Sequence, residues 1–169
     1  MEMRKTLFAI SLQFFCWFLS ADGEEDSKSL ARGFNDNIEW RSLDDGLMQV
    51  AEQNKPGMIL IHKTWCGACK ALKPRFAKNK EIEELSKYFI MINVQDGEEP
   101  SAKQYFPDGG YIPRILFTDT SGNVRTDIVN PSPHSDTYKY YYGDPSTIVA
   151  AMKQVVEESA NQKAGFDEL

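Results

Sequence analysis

Met58-Ile59-Leu60-Ile61-His62-Lys63-Thr64-Trp65-Cys66-Gly67-Ala68-Cys69-Lys70 begins as an unbroken apolar run and ends in two cysteines separated by two residues. Four consecutive apolar residues with no polar alternation have the length and character of a central strand covered on both faces. The run stops at His62-Lys63, and residues 66–77 read as a helix that Pro74 should kink, since proline lacks an N–H and its ring crowds the preceding turn. A Cys-x-x-Cys that follows a buried strand and opens a helix sits where a redox pair is found. Two intervening residues in a first helical turn bring the sulfurs within bonding range. At the helix start, unsatisfied N–H groups and the positive end of the macrodipole stabilise a thiolate, so Cys66 should ionise below the free thiol value of about 8.5 and act as nucleophile. Cys69, one turn deeper, is the resolving thiol that attacks a mixed disulfide and releases the partner.

Other readings of the same residues stay open at this point. A zinc site needs two more ligands, which only His62, His134 or carboxylates without the usual spacing can supply. A purely structural disulfide constrains so short a loop weakly, which makes stabilisation a poor reason for it. His62, four residues before Cys66, either tunes the thiol by supplying charge or a proton, or is a half-buried imidazole at a strand end. Lys63, Lys70 and Lys73 either lower the Cys66 pKa or solvate a surface. Trp65 either shields the sulfurs or packs in the core.

Working outward, Ile38-Glu39-Trp40 is a short strand candidate, and Ser42 with Asp45 resembles a capping box opening a helix through Gln53, with Leu43, Leu47, Val50 and Ala51 on one face. Residues 89–94 are another buried-strand run. Residues 96–103 are acidic and polar, and Pro107-Asp108-Gly109-Gly110 forces a turn. Residues 115–118 and 124–128 flank Asp119-Thr120-Ser121-Gly122-Asn123 as a hairpin. Residues 130–143, with four tyrosines, read as a long ordered surface loop. Asp144 then caps a helix with Pro145 at its first position, and Ile148, Met152, Val155 and Val156 stripe it through about Ser159. Strands alternating with helices predict a single α/β domain with a central mixed sheet flanked by helices.

Composition bounds the rest. The 169 residues, 41% hydrophobic, 12% aromatic and 26% charged, suit one globular domain and are too few for two ordinary ones. A net charge of −6 gives no broad attraction to nucleic acid or anionic lipid. Three cysteines and two histidines are too few for a disulfide-dense scaffold and leave little for a multi-ligand metal site, and no feature suggests a bound metal or an organic cofactor.

Both ends read as addresses. A basic start, Arg4-Lys5, precedes an apolar run over residues 7–19 that is short against the roughly 20 residues needed to span a bilayer. With polar residues 22–28 following at once, it reads as a secretory signal over residues 1–21, cleaved after Ala21 or as late as Gly23, and not as an anchor or core helix. Stable membrane insertion after cleavage is not expected. Cleavage also removes Cys16 and leaves Cys66 and Cys69 with one connectivity. Residues 22–32 then form an acidic flexible segment, residues 33–160 the domain, and residues 161–169 a tail ending Phe166-Asp167-Glu168-Leu169. That ending differs from the Lys-Asp-Glu-Leu retention signal only at its first residue, which predicts a retention receptor as partner and the endoplasmic reticulum lumen as location.

The strand, the Trp65-Cys66-Gly67-Ala68-Cys69-Lys70 start, Pro74 five residues after the second cysteine, and Ile112-Pro113 before a strand together resemble the thioredoxin fold. The stretches His62 to Pro74 and Pro107 to Phe117 resemble more narrowly the small single-domain thioredoxin-fold oxidoreductases of the endoplasmic reticulum, relatives of the anterior gradient proteins. The resemblance implies a cis Ile112-Pro113 bond facing the disulfide, and an Ile112 backbone that pairs with an extended client segment. It implies Trp65, Gly67, Ala68, Ile112 and Pro113 as the client-contacting set, thiol-disulfide exchange on client proteins as the activity, glutathione as redox co-substrate, and a monomer. Two departures matter. Leu60 stands where many relatives of this fold carry a buried carboxylate that handles the proton of the second cysteine. Ala68 replaces the proline or histidine of better-known variants, so neither reduction potential carries over. Anterior gradient relatives often have serine at the second cysteine position, whereas Cys69 completes a dithiol here.

The competing class is a binding module, a chaperone or adaptor of anterior gradient type in which Tyr138-Lys139-Tyr140-Tyr141-Tyr142 holds partners and redox chemistry is secondary. The plainer reading of that stretch is strand-like packing with one side wet.

Overall fold

The computed structural model describes residues 29–132 and 137–166. The signal segment 1–21, residues 22–28, His134 and Asp167-Glu168-Leu169 lie outside the described residues. Strands β1 (Trp40–Arg41), β2 (Gly57–His62), β3 (Ile90–Gln95) and β4 (Arg114–Phe117) form one sheet in the order β1-β3-β2-β4. β3 runs parallel to β1 and β2, while β4 is antiparallel to β2, placing Leu60 opposite Ile115 and Ile61 opposite Arg114. The mixed sheet matches the expected class.

Every residue of β2 is buried, because the pleat sends alternate side chains into two cores. Met58 and Leu60 join Ile115 and Phe117 in one core, covered by helices α2 (Gly67–Lys78), α3 (Lys80–Ser86) and α4 (Pro145–Phe166) through Leu72, Phe76, Ile82, Ile148 and Met152. Ile59 and Ile61 join Ile92, Val94 and Leu116 in the other, covered by α1 (Leu43–Glu52) through Val50, Leu43 and Leu47. α1 approaches closely because Gly46 faces β3: a Cβ there would lie 2.4 Å from Ile92 Cγ1.

The helix signals act as read. Ser42 Oγ accepts from Asp45 N at 3.3 Å and donates to the Asp45 carboxylate at 2.6 Å. Asp144 Oδ1 accepts from Ser146 N at 2.8 Å, with Pro145 opening α4.

Four expectations need correction. α2 continues through Pro74, and the break comes at Asn79, whose extended backbone leaves the helix while its side chain caps α3 by accepting from Ile82 N. The second hairpin strand shrinks to a single bridge between Thr118 and Val124. The outer edge of β4 is shared instead, since Arg125 N donates to Phe117 O while Ile115 N donates to Tyr140 O of the tyrosine loop. The ordered body begins before residue 33: Ala31 is buried in the larger core with Leu30 packed on it, and Arg32 pairs with Glu98. At the other end, α4 runs on to Phe166, well into the segment read as tail.

Candidate active site

β2 delivers its chain to the site, and a short loop carries it into α2. Cys66 is the N-cap of α2 and forms a disulfide with Cys69, their Cα atoms 5.3 Å apart. Cys66 Sγ accepts from Cys69 N at 3.1 Å, so one first-turn N–H of α2 is directed at the outer sulfur. Cys69 is 1% exposed and Cys66 7%, which leaves the outer sulfur the more accessible of the two. The Ile112-Pro113 bond is cis, and the Ile112 carbonyl oxygen lies 3.8 Å from Cys66 Sγ. Pro113 is buried beside it, and Gly67 and Ala68 are exposed at the helix start.

Trp65 is 73% exposed, which removes the core reading and leaves its indole at the surface next to Cys66. Lys70 is exposed on α2. Lys73 lies 5.3 Å from the Phe34 ring centroid, and its charge rests on that aromatic face. Lys63 Nζ is held by Glu99 Oε2 at 2.7 Å and by the Asp96 carbonyl, so its charge is engaged by the acidic turn and not by Cys66.

His62 is 1% exposed, packed 4.8 Å from the Phe34 ring, and bonded through Nε2 to Asn93 Oδ1 at 2.8 Å. Asn93 Nδ2 donates to Ala31 O, so its Oδ1 faces His62 as an acceptor and Nε2 carries the imidazole proton. Burial pushes the His62 pKa down to about 4 against the Asn93 bond, with Lys73 and Arg32 also lowering it. The imidazole is therefore neutral near pH 7 and supplies no positive charge to Cys66, which corrects one of its two sequence readings. Leu60 is fully buried on the same face of β2, so no carboxylate stands at that position.

Sequence reasoning missed the charges that tie the loops together. Thr64 N and Oγ1 donate to Asp96 Oδ1 at 2.9 and 3.2 Å, and the Thr64 backbone bond is the main reason the Asp96 carboxyl lies below its ordinary range. Arg114, fully buried directly after Pro113, donates to Tyr105 O at 2.7 Å, to Tyr111 O, and to Glu99 Oε1 at 2.5 Å. Burial works to raise the Glu99 carboxyl, but the bonds from Lys63 and Arg114 outweigh it and hold the group ionised below the usual range. The available signals were the acidic run after β3 and a lone arginine heading an apolar strand.

Tyr140 and Tyr142 are buried at 3% and 0%, whereas Tyr138 is 51% exposed and meets Tyr111 edge-on at 5.0 Å. Most of the tyrosine stretch is therefore packing, and one ring remains beside the Ile112 loop. Among the described residues, no group of three or more His, Cys, Asp or Glu side chains is placed to hold a metal ion, and no helix is long and apolar enough to cross a membrane.

A thioredoxin-like family model matches residues 39–120, which span β1 to the turn after β4. Among solved structures, a thioredoxin from Thermus thermophilus superposes with a TM-score of 0.51 at 12% identity, covering 73% of this chain and 90% of that one, a likeness of fold. Mouse (Mus musculus) anterior gradient protein 3 is 39% identical over 131 residues, covering 76% of this chain and 78% of its own. The human (Homo sapiens) anterior gradient protein 2 homolog is 35% identical over 131 residues, covering 77% and 73% respectively. With this identity over most of both chains, on a thioredoxin-like domain, the chain belongs to the anterior gradient family of thioredoxin-fold proteins.

Proposed function

We propose that the chain is a thiol-disulfide oxidoreductase of the endoplasmic reticulum lumen that exchanges disulfides with client proteins through Cys66 and Cys69. The observation that carries this reading is a disulfide at the N-cap of α2 whose outer sulfur faces the Ile112 carbonyl at 3.8 Å. In the reducing direction, the Cys66 thiolate attacks a client disulfide, forming a mixed disulfide and expelling one client thiolate. The Cys69 thiolate then attacks Cys66 Sγ, closing the internal disulfide and releasing the second client thiolate, so two electrons pass to the client. Two glutathione thiols regenerate the dithiol and leave as glutathione disulfide. Run backwards, the same steps oxidise a client.

The groups that support this assignment are Cys66 as nucleophile, Cys69 as resolving thiol, and Trp65, Gly67, Ala68, Ile112 and Pro113 as the client-contacting wall. Within the family, the intact dithiol is the basis for a finer likeness, to thioredoxin domain-containing protein 12. The two end signals, residues 1–21 and Phe166-Asp167-Glu168-Leu169, support a luminal, receptor-retained protein, and truncating the last four residues should release it into the medium. In cells, Cys69→Ser should accumulate mixed disulfides with clients while Cys66→Ser captures none and loses turnover. Full activity in Cys66→Ser overturns the reading.

A second reading, client binding with redox chemistry secondary, is favoured by one observation: exposed Tyr138 meets Tyr111 edge-on, next to Ile112. Client capture that survives loss of both sulfurs but fails in Tyr138→Ala selects it.

A further inference from the structure

Two chain segments that are far apart in sequence must stay in register for an extended client to be held at Ile112 while its sulfur meets Cys66. One is the loop of Lys63 and Thr64 that leads into Cys66. The other is the loop of Tyr111 and Ile112 that ends at Pro113 and Arg114. Each has its own fastening: Thr64 to Asp96, and Arg114 to the carbonyls of Tyr105 and Tyr111. Glu99 touches both. Its Oε2 meets Lys63 Nζ at 2.7 Å, and its Oε1 meets Arg114 Nη2 at 2.5 Å. Its side chain is 24% exposed and Lys63's 17%, while Arg114's is 0%, so water screens this junction little.

We propose that Glu99 is a positioning residue that fixes the spacing of the client groove, one carboxylate oxygen holding the loop before Cys66 and the other holding the segment after Pro113. The inference rests on the oxidoreductase reading and adds to it a group that touches neither sulfur nor client. A small disulfide needs only an accessible Cys66. An extended segment needs Cys66 and the Ile112 backbone at a fixed separation, and small misplacements of a binding wall are costly in rate. Loss of Glu99 therefore separates two substrates that the sulfurs alone treat alike.

The test compares prereduced mature protein and its Glu99→Gln variant, with glutathione regenerating the dithiol, on hydroxyethyl disulfide and on an extended peptide carrying its cysteine as a glutathione mixed disulfide. Glu99→Gln keeps the side-chain size but cannot accept from both cations as a carboxylate does. Peptide KM should rise about tenfold, while the hydroxyethyl disulfide rate and the pH dependence of Cys66 alkylation stay within about twofold. An unchanged peptide KM in the folded variant overturns the proposal. So does an equal loss on both substrates, since that marks an effect on the sulfur itself. If the variant fails to fold because Arg114 is left unpaired, Lys63→Gln decides alone: it cuts one arm and leaves Arg114 paired, and it should raise peptide KM selectively, with an unchanged KM overturning the proposal. Wild-type protein inert on both substrates defeats the oxidoreductase reading instead, so the two failures are distinct.

Discussion

His62 should make the fold lose stability on mild acidification, well before the carboxylates are protonated. The imidazole is 1% exposed, donates through Nε2 to Asn93, and finds no hydrogen-bond partner for Nδ1 among the described residues. Protonating Nδ1 would place a charge beside Phe34, with Lys73 and Arg32 opposing it and Asp96 favouring it. The folded pKa of about 4 lies below the ordinary 6.5, so as pH falls the unfolded chain takes up the proton first. The contribution is complete above pH 6.5 and is lost between 6.5 and about 4. At about 1.4 kcal/mol per pH unit, the loss from pH 7 to pH 5 is about 2 kcal/mol. Glu83, Asp96, Glu98 and Glu99, whose pKa values are lowered, begin to lose their contributions only as pH falls to the ordinary carboxylate values of 4.5 for Glu and 3.8 for Asp, beneath the pH 7 to 5 range in which His62 is read. Urea unfolding of the oxidised mature protein at pH 7, 6 and 5 reads the slope directly, and His62→Phe should flatten it whatever its own absolute stability. A flat wild-type profile, or a slope that persists in His62→Phe, refutes the reasoning.

Three further substitutions test the packing. Gly46→Ala should lower stability by about 1–3 kcal/mol in thermal unfolding, because the new methyl meets Ile92 at 2.4 Å and outweighs the roughly 1 kcal/mol gain in helix propensity. Tyr142→Phe removes a buried hydroxyl that has no hydrogen-bond partner among the described residues, so its denaturation midpoint should hold or rise by about 1 kcal/mol equivalent. Asp144→Ala should cost about 1 kcal/mol by removing the side chain that caps α4, measured against a surface control such as Lys70→Ala.

The parts of the fold that were legible in sequence are those written in neighbouring residues. The apolar run 58–61 and the cysteines after it specify a central strand, a loop and a helix start, and Ser42 and Asp144 announce their helices through contacts two or three residues away. What escaped depends on distant partners. The strand is expected over residues 115–118, yet β4 begins at Arg114, which is buried there because Glu99, 15 residues earlier, pairs with it. Residues 130–143 read as a surface loop because they show no regular element, although packing with one side wet is the plainer reading of the tyrosines; Tyr140 and Tyr142 are buried, and Tyr140 O accepts from Ile115 N at the edge of β4. His62 was ambiguous for the same reason: the Asn93 amide and the Phe34 ring that fix its neutral state are remote in sequence. Trp65 shows the opposite limit, since nothing in its own sequence neighbourhood distinguishes a core indole from the exposed one found.

The central claim is that Cys66 and Cys69 are a working redox pair, and the most direct measurement equilibrates the mature protein with glutathione buffers of defined ratio, quenches it, and counts alkylated thiols. A single two-electron transition is predicted, with a midpoint between about −180 and −270 mV, within reach of the luminal and thioredoxin-type poises. A pair that stays reduced at every ratio, or accumulates only glutathione adducts at Cys66 without closing onto Cys69, contradicts it.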